Sequence, residues 1–143
     1  MKNVYFLCSG DSNRAQLAQG FAEVYLKDSV HYMSTSFPDE KPIQPLAVFV
    51  MREIGIDIAR YDSPSFNMEF FRNTDYIISI CEDALDPAIP IPKHAKHIHI
   101  QIDDPLLSDD YVEQLQAYRQ VRDQLGVEIK NIAMMIAEDI VIQ

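Results

Sequence analysis

Two apolar runs constrain this chain more than any other feature. Asp75-Tyr76-Ile77-Ile78-Ser79-Ile80 is almost continuously apolar and ends at Cys81, and Asn3-Val4-Tyr5-Phe6-Leu7 leads in the same way into Cys8. A strand apolar on both faces belongs in the middle of a parallel sheet, covered on each side. Two further strands are expected, Val30 to Thr35 and His97 to Ile102. The second is half-buried, because Ile98, Ile100 and Ile102 alternate with His97, His99 and Gln101. Between the strands the period changes to that of a helix. Arg14 leads a pattern through Leu17, Phe21 and Val24, and Leu46, Phe49, Val50 and Ile54 share a face that Gly55 caps. Ser63-Pro64 is expected to open a short helix carrying Phe66, Phe70 and Phe71. Tyr111 to Leu125 reads as one helix, and a second pattern starts at Val127. Strands alternating with helices predict an α/β domain with a parallel sheet. Its 143 residues predict one domain, 1–143, with a substantial core.

The formal net charge is −10, which sets nucleic acid and anionic membranes aside as partners through simple repulsion. No apolar run is long enough to span a bilayer, and the first residues lack a signal-peptide pattern. Two cysteines do not make a disulfide scaffold, so the expected setting is the reducing cytoplasm.

Ligands of parallel sheets bind at the carboxyl ends of the strands. Cys8, Cys81 and Asp104 are all expected at such ends. After Cys8 comes a short polar loop, Ser9-Gly10-Asp11-Ser12-Asn13-Arg14, and then the first helix. A strand–loop–helix turn of this kind aims backbone N–H groups and the positive end of the helix dipole at one point. A cysteine on its rim is expected to be acidic, with a pKa in the range of about 3.5–7.5. An arginine closing the loop can grip a tetrahedral oxyanion through two parallel hydrogen bonds. The functional reading is attack by Cys8 on phosphorus or a similar centre. A structural reading stands beside it, since most free cysteines are small buried hydrophobes. Asp104 precedes Pro105, which restricts its backbone; it reads either as a general acid or as a simple turn after a strand. His94, His97 and His99 read as part of a solvated polar face, and no metal or other cofactor is expected.

The segment Tyr5 to Gly20, YFLCSGDSNRAQLAQG, resembles the start of the low-molecular-weight protein tyrosine phosphatases, and more closely their relatives, the thioredoxin-coupled arsenate reductases. Tyr118-Arg119-Gln120-Val121-Arg122-Asp123 resembles the arsenate-reductase branch as well. The resemblance implies a four-stranded parallel sheet with helices on both faces. It implies an oxyanion loop of Ser9, Gly10, Asp11, Ser12, Asn13 and Arg14 around a nucleophilic Cys8, with Asp104 as the acid. It also implies that Cys81 resolves an arsenic adduct on Cys8 by forming a disulfide with it. A third cysteine, seven residues on, would then carry that disulfide to thioredoxin.

This chain departs from that pattern. Ala88 stands where the third cysteine belongs, Asp11 replaces the usual Asn, and Ala15 replaces a Ser that supports the thiolate. Asn13 replaces a second loop cysteine, and Leu106 follows Pro105 where many phosphatases carry an aromatic for phosphotyrosine. The first expectation is therefore an arsenate-reductase-like enzyme acting on arsenate or phosphate, with thioredoxin or another thiol as reductant. The alternatives are a phosphatase of aryl phosphates or phosphotyrosine, and an oxyanion-binding protein weakened by Asp11 and Ala15.

Overall fold

A computed structural model describes residues 1–142. Strands β1 (Lys2–Ser9), β2 (Val30–Phe37), β3 (Tyr76–Ser79) and β4 (Lys96–His99) form one sheet in the order β2-β1-β3-β4. Every neighbouring pair is parallel. The two apolar runs take the two inner positions, and Val4 through Cys8 are fully buried. The carboxyl ends of all four strands therefore open on one side.

Successive side chains on a strand point to opposite faces, which sorts the core into two halves. On one face Tyr5 stacks on Phe66, with ring centroids 5.9 Å apart, and meets the edge of Phe70 at 5.2 Å. Its hydroxyl pairs with Thr35 at 2.7 Å and accepts the Asn67 N–H at 3.0 Å, so no polar atom of the ring is stranded. Helix α3 (Met68–Arg72) is the short cover of this face. It begins later than Ser63-Pro64, contrary to expectation. The Ser63 carbonyl accepts the Lys41 N–H at 2.9 Å and the Phe66 N–H donates to Pro38, so residues 63–66 are engaged as an extended partner of the 38–41 segment. Asn67 then caps the helix through a 2.9 Å bond from the Phe70 N–H.

The opposite face is covered by α1 (Arg14–Leu26) and α4 (Tyr111–Ile142). Helix α2 (Pro45–Arg52) packs on α4. Just past its end, Glu53 receives Arg119 at 2.7 Å and Arg122 at 2.9 Å, which ties α2 to α4. Both faces thus carry helices, as the resemblance implies. The two helical patterns expected in the last third of the chain are one continuous helix. Gly126, at the supposed break, lies inside it. A Cβ there would approach the Phe21 ring to 3.2 Å, so this glycine serves the packing of α1 on α4 rather than a turn. Among the described residues no helix is long and apolar enough to cross a membrane.

Candidate active site

Cys8 is the penultimate residue of β1, and its register partner on β2 is Ser36. The thiol is wholly buried. The Ala15 N–H, in the first turn of α1, donates to Sγ at 3.4 Å, and the Ser36 hydroxyl lies 3.8 Å away. Ser36 in turn pairs with Ser63 at 2.7 Å. Burial pushes the Cys8 thiol above its ordinary range, while the Ala15 N–H, the Arg14 charge and Ser36 pull it down. Burial thus works against the acidic thiol expected from the loop alone, because the surrounding atoms shut Sγ off from solvent.

Two residues of the loop adopt left-handed backbone: Gly10 at φ 79° and Asn13 at φ 61°. Gly10 needs its lack of a side chain for this turn, whereas Asn is among the few other residues that tolerate it. The Asn13 amide is fully buried and reaches sideways, donating to the Pro42 carbonyl at 3.0 Å and accepting the Gln44 N–H at 2.6 Å. Asp11 turns outward, with its side chain 63% exposed, and pairs with Lys41 at 3.3 Å. The Ser9 N–H goes to Cys81 and the Ala15 N–H to Cys8.

Arg14 is buried beneath the loop. Nε donates to the Ser12 hydroxyl at 2.9 Å, one terminal nitrogen to the Ser9 carbonyl at 2.9 Å, and the other to the Ile102 carbonyl at 2.6 Å. Three of its five N–H groups are thus spent on the protein, and two remain for a ligand. The bond to Ile102 latches the anion loop to the segment that carries Asp104. Asp104 is half-buried, and one oxygen accepts the Leu106 N–H at 2.9 Å. Its other oxygen would lie 3.6 Å from a Cβ on Gly10, with the Arg14 guanidinium 3.7 Å from the same point. Nucleophile loop, guanidinium and carboxylate therefore converge.

Cys81 sits two residues past the end of β3, beside the loop. Its sulfur accepts the Ser9 N–H at 3.0 Å and lies 3.2 Å from the Ser9 hydroxyl. Leu7 pairs with Ser79 across the ladder, so Cys81 follows alongside Ser9, the residue after Cys8. Both are free thiols. Ala88 is exposed, within the 82–95 loop.

The matching family model is that of the low molecular weight phosphotyrosine protein phosphatases, over residues 3–141. The chain belongs to that family. Within it, an arsenate reductase of Bacillus licheniformis is 38% identical over 133 residues, covering 92% of this chain and 95% of that protein. A solved arsenate reductase in its phosphate-binding state is 28% identical, with a TM-score of 0.69, over 95% of this chain and 99% of the other. An arginine phosphatase from Geobacillus stearothermophilus shares the fold, with a TM-score of 0.79 at 21% identity over 97% of this chain and 95% of that one.

Sequence reasoning missed three supporting residues. Ser36 lies one residue beyond the strand expected over Val30 to Thr35, but β2 runs on to Phe37 and brings it level with Cys8. Tyr118, buried on α4, donates to the Ser12 carbonyl at 3.2 Å and so braces the loop from below. Burial and the charge of Asp104 push its phenol up, which keeps it a donor. Lys41 carried no signal at all. Ser36 alone was legible in principle, from counting both strands back to their starts. The histidine face also holds a polar partner, since the buried Ser79 hydroxyl lies 2.7 Å from His97 and 2.8 Å from His99.

Proposed function

We propose that this family member is an arsenate-reductase-like enzyme, with Cys8 as nucleophile and Cys81 as resolving thiol. The observation that carries this reading is the seat of Cys81, whose sulfur rests on the N–H of the residue next to Cys8 at 3.0 Å. A hydrolase has no use for a second thiol there. Cys8 passes its thiol proton to an oxygen of the bound arsenate and attacks arsenic as the thiolate, an As–O bond breaks, and that oxygen leaves as water with a further proton that Asp104 supplies. Arg14 and the loop N–H groups hold the remaining oxygens. Cys81 then attacks Cys8 Sγ. The S–S bond forms as the As–S bond breaks, its electron pair stays on arsenic, and arsenite departs. Arsenic gains the two electrons that the thiols lose. The Ser9 N–H, 3.0 Å from the Cys81 sulfur, seats that sulfur beside the loop for this step.

The protein is thereby left as a Cys8–Cys81 disulfide, and an external dithiol of the thioredoxin kind, in the reducing cytoplasm, returns it by exchange. With Ala88 in the third position, that exchange falls on the Cys8–Cys81 bond itself. The same alanine favours a second reading, hydrolysis of a phosphate monoester, which needs only Cys8, Arg14 and Asp104. Arsenate reduction with thioredoxin, followed beside aryl-phosphate hydrolysis in the same preparation, separates the two. Mass spectrometry of arsenate-treated protein should show loss of two hydrogens and a Cys8–Cys81 peptide. Phosphate release without that disulfide overturns the reductase reading.

A further inference from the structure

We infer that Lys41, on the segment between β2 and α2, is a positioning residue of the anion site that cancels the charge of Asp11. The inference rests on the reading of residues 8–14 as an oxyanion loop. A carboxylate three residues beyond the nucleophile opposes any anion in the cradle and also opposes the Cys8 thiolate. The molecule answers with an ammonium 3.3 Å from that carboxylate.

Most surface ion pairs contribute little, because two long side chains lose freedom to meet in water. Lys41 differs on two grounds. Its side chain is only 28% exposed, against 63% for Asp11. Its backbone is fixed from both directions. The Lys41 N–H donates to the Ser63 carbonyl at 2.9 Å, and Ser63 pairs with Ser36 beside Cys8. The next residues, Pro42 and Gln44, are clasped by the buried Asn13 amide. The segment is stapled to the loop by Asn13 and Asp11. Lys41 is thus held at a set place with little left to lose on pairing. Lys41 is the one cation of its strap, which also carries Asp39 and Glu40, and with Cys8 ionised the loop and strap hold four negative charges against Arg14 and Lys41, so removing Lys41 tips the field further against an incoming anion.

The test is titration of inorganic phosphate by calorimetry at low ionic strength, with the pH profile of Cys8 alkylation recorded alongside. Lys41→Met should weaken phosphate by about three- to tenfold and move the alkylation midpoint upward. Asp11→Asn in the same chain should return affinity to within about twofold of the native protein, since one charge of each sign is then gone. Lys41→Arg should behave as native. Equal affinity in the native and Lys41→Met proteins overturns the inference. So does a loss that Asp11→Asn fails to rescue, which would make Lys41 an anchor of the strap and nothing more. If the native protein itself binds no phosphate, the oxyanion-loop reading falls first and takes this one with it.

Discussion

Two loops meet at the carboxyl edge of the sheet, and they are held in opposite ways. The anion loop, residues 8–14, is bound to distant parts of the chain: Arg14 to Ile102, Asn13 to Pro42 and Gln44, Ser12 to Tyr118, and Ser9 to Cys81. The loop after Cys81 bonds mainly to itself. Ala84 reaches back to Cys81, Ile89 and Ala88 to Asp86, and Ala95 to Pro92. Glu82, Asp83, Pro87, Ala88, Pro90 and Ile91 are exposed. Long-range bonds fix a loop's position, while local bonds fix only its shape. On the proposed reading, the nucleophile's loop is a cradle built in advance, whereas the resolving thiol stands at the root of a segment whose hydrogen bonds are local and which is held to the core by Ala84, Leu85 and Ile89.

The sharpest way to break this contrast is at the cysteines. Cys8→Ser should lose at least about a thousandfold in both hydrolysis and reduction while its circular dichroism and melting stay native, because an alcohol here is a far weaker nucleophile. Full activity in a folded Cys8→Ser protein removes the cradle from the chemistry. Cys81→Ser should abolish thioredoxin-coupled reduction yet leave aryl-phosphate hydrolysis within about twofold. Equal losses in both assays would mean that the two loops act as one unit.

Arg14→Lys comes next. A point charge cannot reproduce the planar fork, nor the latch to Ile102. Turnover should fall by about a hundred- to a thousandfold, with weaker phosphate binding by calorimetry. Tyr118→Phe removes only one hydroxyl, and a urea titration should show a loss of about 1 kcal/mol. An effect confined to stability, with the Cys8 alkylation profile unmoved, would show that bracing the loop from α4 does not tune the thiol.

The smallest effect is expected from Asp11→Asn with Ala15→Ser. Burial holds the Cys8 thiol above its ordinary range, so the protonated form dominates at neutral pH and alkylation quickens as pH rises through that raised value. Taking away a neighbouring negative charge and adding a hydroxyl donor should move the iodoacetamide profile to lower pH. Ser36 already lies 3.8 Å from the thiol, so the Ala15→Ser part of that shift should be the lesser one.

The contrast between the loops also explains what could be read in advance. The apolar runs dictated β1 and β3, and with them the positions of Cys8 and Cys81, because a strand buried on both faces has few places to go. Arg14 and Asp104 were legible by type and spacing. What they bond to was not. Arg14 was expected to face a ligand, yet it spends three donors on Ser9, Ser12 and Ile102, a choice that depends on the end of the β4 segment 88 positions away. Lys41 and Tyr118 reach the loop only through tertiary packing, and no local pattern marks them. The same holds for Gly126, where a residue that commonly breaks helices instead makes room for Phe21.

Ser79, between the two histidines of β4, has a consequence in the currency of protons. A hydroxyl has one hydrogen to give. With Nε2 of His97 and Nδ1 of His99 both within 2.8 Å, the oxygen can donate to one ring only. If both rings are neutral, at least one must turn an N–H toward the serine, so their tautomers are not independent. His97 is held below its ordinary range by burial and by His99, so acid should not charge both rings freely. With the serine donating to one ring and accepting from the other, nitrogen-15 spectra of the imidazoles should then show like tautomers at neutral pH in the native protein, because the serine meets Nε2 of one ring and Nδ1 of the other. Ser79→Ala should erase the correlation and leave each ring to choose its own.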